Sequence, residues 1–104
     1  MYNTSMIERD TYRIDVLVLP NADVKNIPGG DPVVRGVNDQ LESLGFMGVH
    51  VTDVGKIIQV TLSANSSDEA LQKMEEASRT FLANSIIEDF QVSLVEENPN
   101  TPQS

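Results

Sequence analysis

The chain has 104 residues, with 7 Lys and Arg against 16 Asp and Glu, and a formal charge of −9. A hydrophobic fraction of 39% supplies one core and not two. Zero cysteines exclude disulfides, thiolate catalysis and Cys-type zinc or iron–sulfur sites, and a pI near 4.3 without any Trp argues against a nucleic-acid-binding face.

Residues 1–10 are polar and mixed in charge, which predicts a flexible extension and not a signal peptide. No stretch approaches the ~18–20 apolar residues of a membrane span, so a soluble, cytoplasmic protein is expected. The sequons Asn3-Thr4-Ser5 and Asn65-Ser66-Ser67 are then chance matches. One folded domain is expected over residues 11–96, with an acidic, Pro-containing, disordered tail over 97–104.

The first predicted element is a strand from Tyr12 to Leu19. Tyr12, Ile14, Val16 and Val18 alternate onto one face, its last four residues are all apolar, and Pro20 ends it. Residues 20–30 read as a loop. Asp31-Pro32 then opens a helix, because Asp31 can accept from free backbone N–H groups and Pro32 fits the first helical position. Val34, Val37, Leu41 and Leu44 form one helical stripe, and Gly45 is placed for the left-handed residue past its end. Val49–Thr52 and Ile57–Leu62 read as two strands turning about Gly55. Ser66 and Glu69 match a capping box before a helix through Leu71, Met74, Ala77, Ser78, Phe81 and Leu82. Asn84 suits a left-handed terminator, and Phe90–Leu94 is the last strand. The order β-α-β-β-α-β predicts an α+β, ferredoxin-like sandwich: a four-stranded antiparallel sheet with two helices on one face.

Candidate chemistry is sparse. His50 is the single histidine, so no His-based metal site can be completed, and a surface position is the simpler reading. Gly29-Gly30-Asp31-Pro32 opens a helix, but Asp31 already puts a negative charge there and the phosphate-loop lysine is missing. Glu88 and Asp89 are adjacent on an extended chain and so point to opposite sides, which makes them poor acid–base partners. Glu75-Glu76 and Glu96-Glu97 read as acidic surface. Lys56, beside Gly55, sits at a hairpin tip where its side chain is free to reach a partner. No catalytic residue and no metal site emerge. A small acidic unit with exposed sheet edges reads as an assembly or binding module, and the uncharged segment Val49–Thr52 is a poorly protected edge that suggests self-association.

Four segments in order resemble one family. Leu82-Ala83-Asn84-Ser85-Ile86-Ile87-Glu88-Asp89-Phe90 closely resembles the LLANPVIEDY signature of PurS, the small subunit of the three-part bacterial and archaeal phosphoribosylformylglycinamidine (FGAM) synthase. Asp31-Pro32 with Val37, Leu41 and Ser43-Leu44-Gly45-Phe46 is similar to its helix, Val54-Gly55-Lys56 with Ile58 to its hairpin, and Tyr12–Val16 to its first strand. The resemblance covers about residues 12–95 and implies a PurS-like fold. It also implies a role in a glutamine- and ATP-dependent C–N ligase of de novo purine biosynthesis, which makes FGAM from its formylglycinamide ribonucleotide precursor. By that resemblance the chain is non-catalytic and binds no cofactor itself, the complex using ATP, magnesium and glutamine. It would associate with itself, as a homodimer or a dimer of dimers, and bridge a glutaminase subunit and an ATP-dependent synthetase subunit. Nucleic acid and membrane are not among its implied partners. Interface residues carried over from the motifs are Asp31, Pro32, Gly55, Lys56, Asn84, Ile87, Glu88 and Asp89, of which Asp31, Pro32, Gly55 and Asn84 also read as caps and turns. The chain departs from the family at Asp53, where an Arg is usual, and at Val33-Val34, where Gln-Gly is usual. Two alternatives stay open: a metabolite-binding regulatory domain on a ferredoxin-like fold, and an acylphosphatase-like enzyme, which would want an arginine in the loop after the first strand.

Overall fold

The computed structural model describes residues 10–98. Strand β1 runs Asp10–Pro20, helix α1 Ala22–Lys25, helix α2 Pro32–Ser43, strand β2 Lys56–Ala64, helix α3 Ser67–Ala77 and strand β3 Glu88–Glu97. The three strands form one antiparallel sheet in the order β2-β1-β3. β1 is central because its alternation supplies a continuous apolar face. Tyr12, Ile14, Val16 and Val18 are buried to 3% exposure or less. Ile14 pairs with Val60 and Leu94, and Val16 with Ile58 and Val92, so the core face continues across all three strands.

α3 covers that face with Ala70 and Met74. Its start is fixed as its sequence suggests. Ser66 Oγ accepts from the Glu69 N–H at 3.1 Å, while Glu69 Oε1 accepts from the N–H of Asn65, one residue ahead of the cap. At its end the helix widens into a π turn, Ser78–Leu82, closed by Ala83 N–H to the Ser78 carbonyl at 3.0 Å. The widening turns Phe81 outward, to 83% exposure, and buries Ser78 completely. No helix among the described residues is long and apolar enough to cross a membrane.

The structure corrects the expected sheet from four strands to three. Val49–Thr52 is not a strand. The Asn38 side-chain amide takes both the N–H and the carbonyl of Val51, at 2.8 and 3.0 Å, and stands in for the missing strand neighbour. α2 does not pack on the sheet either, and none of its residues is buried. It projects from the body with the turn at 44–48 and the return segment 49–54 as an arm. The α2 ends form as expected: Asp31 Oδ1 accepts from the Val33 N–H at 2.9 Å. Gly45 has a φ of +88°, with Phe46 N–H to Leu41 O and Gly45 N–H to Glu42 O closing a Schellman motif.

Two further readings are corrected. The loop at 20–30 contains the short α1, capped by Asn21, whose Oδ1 accepts from Asp23 and Val24. Asn84 is not left-handed; its Oδ1 accepts from the Ile86 N–H, which makes an Asx turn. At the boundaries, the expected extension over 1–10 and tail over 97–104 lie mostly outside the described residues. β3 continues through Glu97, and Asn98 pairs with Thr11.

Tyr12 gives the fold a pH signature. Burial, followed by the charges of Asp10 and Glu97, pushes its phenol above the usual tyrosine value. The folded chain therefore keeps the proton longer than the unfolded chain, which ionises from about pH 10. The contribution of Tyr12 to stability is expected to be constant below that pH and to be lost as pH rises beyond it. Denaturant titrations from pH 8 to 11.5 check this, and Tyr12→Phe should flatten the alkaline limb.

Candidate functional site

The ends of β1, β2 and β3 nearest Pro20 meet the base of the arm around a pocket of about 340 Å³. Apolar side chains make most of its wall: Val18, Val24, Val33, Val54 and Ile87. Charge enters from Asp31, Lys56 and Glu88. Five of the eight residues picked out by motif, Asp31, Gly55, Lys56, Ile87 and Glu88, therefore lie together although they are up to 57 positions apart in sequence.

Each is placed by a local cause. Asp31 is held by its cap bond and is 9% exposed. Gly55 is required by packing: a Cβ there would meet the Val18 carbonyl oxygen, and Leu19 Cδ2 at 2.6 Å, so only glycine lets the arm rejoin β1. Lys56 is the first residue of β2, paired with Val18. Glu88 is aimed by the Asn84 turn, where its Oε1 accepts from the Asn84 N–H at 2.8 Å. That turn is in turn tied to the end of β1, since Asn21 donates to the carbonyls of Ile86 and Ile87.

The other three residues fall outside the pocket wall. Pro32 follows Asp31 as the exposed first residue of α2. Asn84 acts through the turn. Asp89 points the other way along β3 and borders grooves beside Leu19 and Asn21, so Glu88 and Asp89 diverge as their adjacency implies. His50 is exposed on the arm. Among the described residues no group of three or more His, Asp or Glu is placed to hold a metal ion.

Lys56 is distinguished by its lack of company. Arg13 pairs with Glu96, Lys25 with Asp53, Lys73 with Glu69 and Arg79 with Glu75, and Arg35 donates to the Gly29 carbonyl. Among the described residues Lys56 is the one Lys or Arg with neither an ion pair nor a hydrogen bond. The Lys25–Asp53 pair, at 3.2 Å, also accounts for the acidic residue beside the motif: its partner lies within the chain. Sequence reasoning missed Asn21, Asn38 and the wall residue Val24, and it quoted Val54 in the hairpin motif without placing it at the site. Asn21 preceding Ala22-Asp23 carries a readable capping signal, whereas Asn38 is an ordinary helical residue until its distant partner is known.

Comparisons with known proteins agree with one another. The profile of the PurS family, phosphoribosylformylglycinamidine (FGAM) synthase, matches residues 29–96. The phosphoribosylformylglycinamidine synthase subunit PurS of Synechocystis sp. is 35% identical over 60 residues, 58% of this chain and 60% of that protein. The match thus spans under two thirds of that relative's length. The fold resembles the PurS subunit of Thermotoga maritima, with a TM-score of 0.72 at 18% identity over 85% of this chain and 95% of that one. It also resembles PurS of Methanocaldococcus jannaschii, with a TM-score of 0.68 at 24% identity over 82% and 96%. That protein is described as one of the subunits of formylglycinamide ribonucleotide amidotransferase in the purine biosynthetic pathway. With the family profile covering most of the chain, and with Gly55, Lys56, Ile87 and Glu88 meeting at one pocket, the chain belongs to the PurS family.

Proposed function

We propose that the chain is the small, non-catalytic subunit of an FGAM synthase, and that it joins a glutaminase subunit to an ATP-dependent synthetase subunit. The arm carries this reading. Leu44, Phe46, Met47 and Val49 are between 52% and 76% exposed at its tip, and α2 buries no residue. A chain of this size does not ordinarily leave a contiguous apolar surface in water unless another protein covers it. Self-association, as a homodimer or a dimer of dimers, belongs to the same proposal, as does a cytoplasmic location. ATP, magnesium and glutamine are assigned to the companion subunits. The chain's contribution is to hold two sites together so that ammonia passes between them without loss to water.

The test is co-purification. An affinity-tagged chain should retain a glutaminase and an ATP-dependent synthetase from an extract supplied with glutamine and ATP. Lys56→Glu should weaken that assembly by about tenfold, the scale of one interfacial charge contact. The thermal midpoint should stay nearly unchanged, since an exposed lysine contributes little to folding. Turnover of any substrate by the purified chain alone, or no retention of either companion, would overturn the proposal.

A further inference from the structure

The pocket is the joint between the arm and the sheet. Asp31 and Val54 stand at the two ends of the arm, Lys56 on β2 and Glu88 on β3, while α2 itself does not pack on the sheet. Its charges are left unanswered in a specific way. Lys56 shares the wall with two carboxylates, yet no nitrogen–oxygen contact within 4.0 Å joins it to either. Asp31 Oδ1 and Glu88 Oε1 accept from the N–H groups of Val33 and Asn84. The second oxygen of each carboxylate has no partner among the described residues. The cavity therefore presents one free cation and two half-used anions, held apart. The rest of its wall is aliphatic, and no hydroxyl, amide or imidazole side chain lines it. Its volume of about 340 Å³ lies at the small end of ligand pockets, which run ~300–1,000 Å³.

We propose that this pocket binds a free α-amino acid with a branched aliphatic side chain, of the leucine or isoleucine kind. Such a zwitterion carries the complementary set of groups on one carbon. Its carboxylate meets the Lys56 ammonium. Its own ammonium, with three donors, meets the free oxygens of Asp31 and Glu88. The ligand thus bridges charges that do not reach each other within the chain. Its side chain lies against Val24, Val54 and Ile87, where apolar burial favours it. The same wall rejects polar amino acids: glutamine would place an amide where nothing can bond to it. An acid without the amine leaves both carboxylates unanswered, and an amine without the acid leaves Lys56 so. Because the groups it touches belong to the arm and to the sheet, the bound amino acid braces the joint between them. This binding goes beyond the joining role and needs neither companion subunit.

Calorimetric titration of the purified full-length chain tests it with L-leucine, L-glutamine, isocaproate (leucine without its amine) and isoamylamine (leucine without its carboxylate). Leucine should bind with a dissociation constant below about 1 mM, and each of the others at least about tenfold more weakly, the scale of one charge-assisted contact. Leucine should also shift the backbone amide resonances of Gly55, Lys56 and Ile87, which locates the site in the unmodified chain. Lys56→Gln, in a preparation whose circular dichroism matches the parent, should weaken leucine by at least about tenfold. No binding of leucine at ~20 mM overturns the proposal, as does equal affinity for isocaproate or glutamine. Leucine binding that leaves those three amides in place, or that survives Lys56→Gln, overturns it too, because the ligand then sits elsewhere. The joining of companion subunits is read separately, by co-purification, and none of these results alters it.

Discussion

Gly55→Val is expected to lower the thermal midpoint by about 15 °C. The position has no special backbone angle, so the cost is steric. The first side-chain carbon would land on the Val18 carbonyl and within 2.6 Å of Leu19 Cδ2. Val18 is 1% exposed on the central strand, and its carbonyl cannot move without disturbing the pairing with β2 and β3. Overpacking of this kind costs about 1–3 kcal/mol, and more where backbone must shift. For a domain near this size each kcal/mol moves the midpoint by about 4–8 °C. Gly55→Ala should fall between the parent and the valine variant. Melting followed by circular dichroism checks the order, and a valine variant within 3 °C of the parent would show that the arm rejoins β1 less tightly than the structure has it.

The same contact shows what a sequence can and cannot reveal about this chain. β1, the Asp31 cap, the Schellman end at Gly45 and the start of α3 were legible because each depends on residues within a few positions: alternation for the strand, and one side chain meeting one nearby N–H for the caps. Val49–Thr52 carries the composition of a strand and is none. Strand formation needs a neighbour, and the Asn38 amide thirteen residues away satisfies Val51 instead. The π turn was hidden for a related reason: Ser78–Leu82 keeps the spacing of an α-helix, and only the complete burial of Ser78 shows which residue is inside. Asn84 has the composition of a left-handed terminator, but its side chain is used within its own turn, where it helps aim Glu88. For the site, motif resemblance found five residues of the pocket wall without showing that they meet. Their apolar companion Val24 had no local signal, because an isolated valine in a loop looks like any other, while Val33 and Val54 stood beside the motifs with nothing to show that they line the same pocket.

Val37→Glu should abolish self-association, with the dissociation constant rising by at least about 100-fold. Val37 lies in the middle of α2, a helix that buries no residue within the chain, so a glutamate there puts a charge into the surface that self-association would cover. Desolvating charges without partners costs several kcal/mol, and about 2.8 kcal/mol already gives the factor of 100. The folded single chain should hardly notice. Val37 is only half-buried, and glutamate is a better helix former than valine by a few tenths of a kcal/mol. Two readouts then separate association from folding. The midpoint of the parent chain should rise with protein concentration, as it must when the folded dimer is the stabilised species. The midpoint of the variant should not depend on concentration, while sedimentation shows one chain. A variant that still sediments as a dimer would place the contact elsewhere on the molecule.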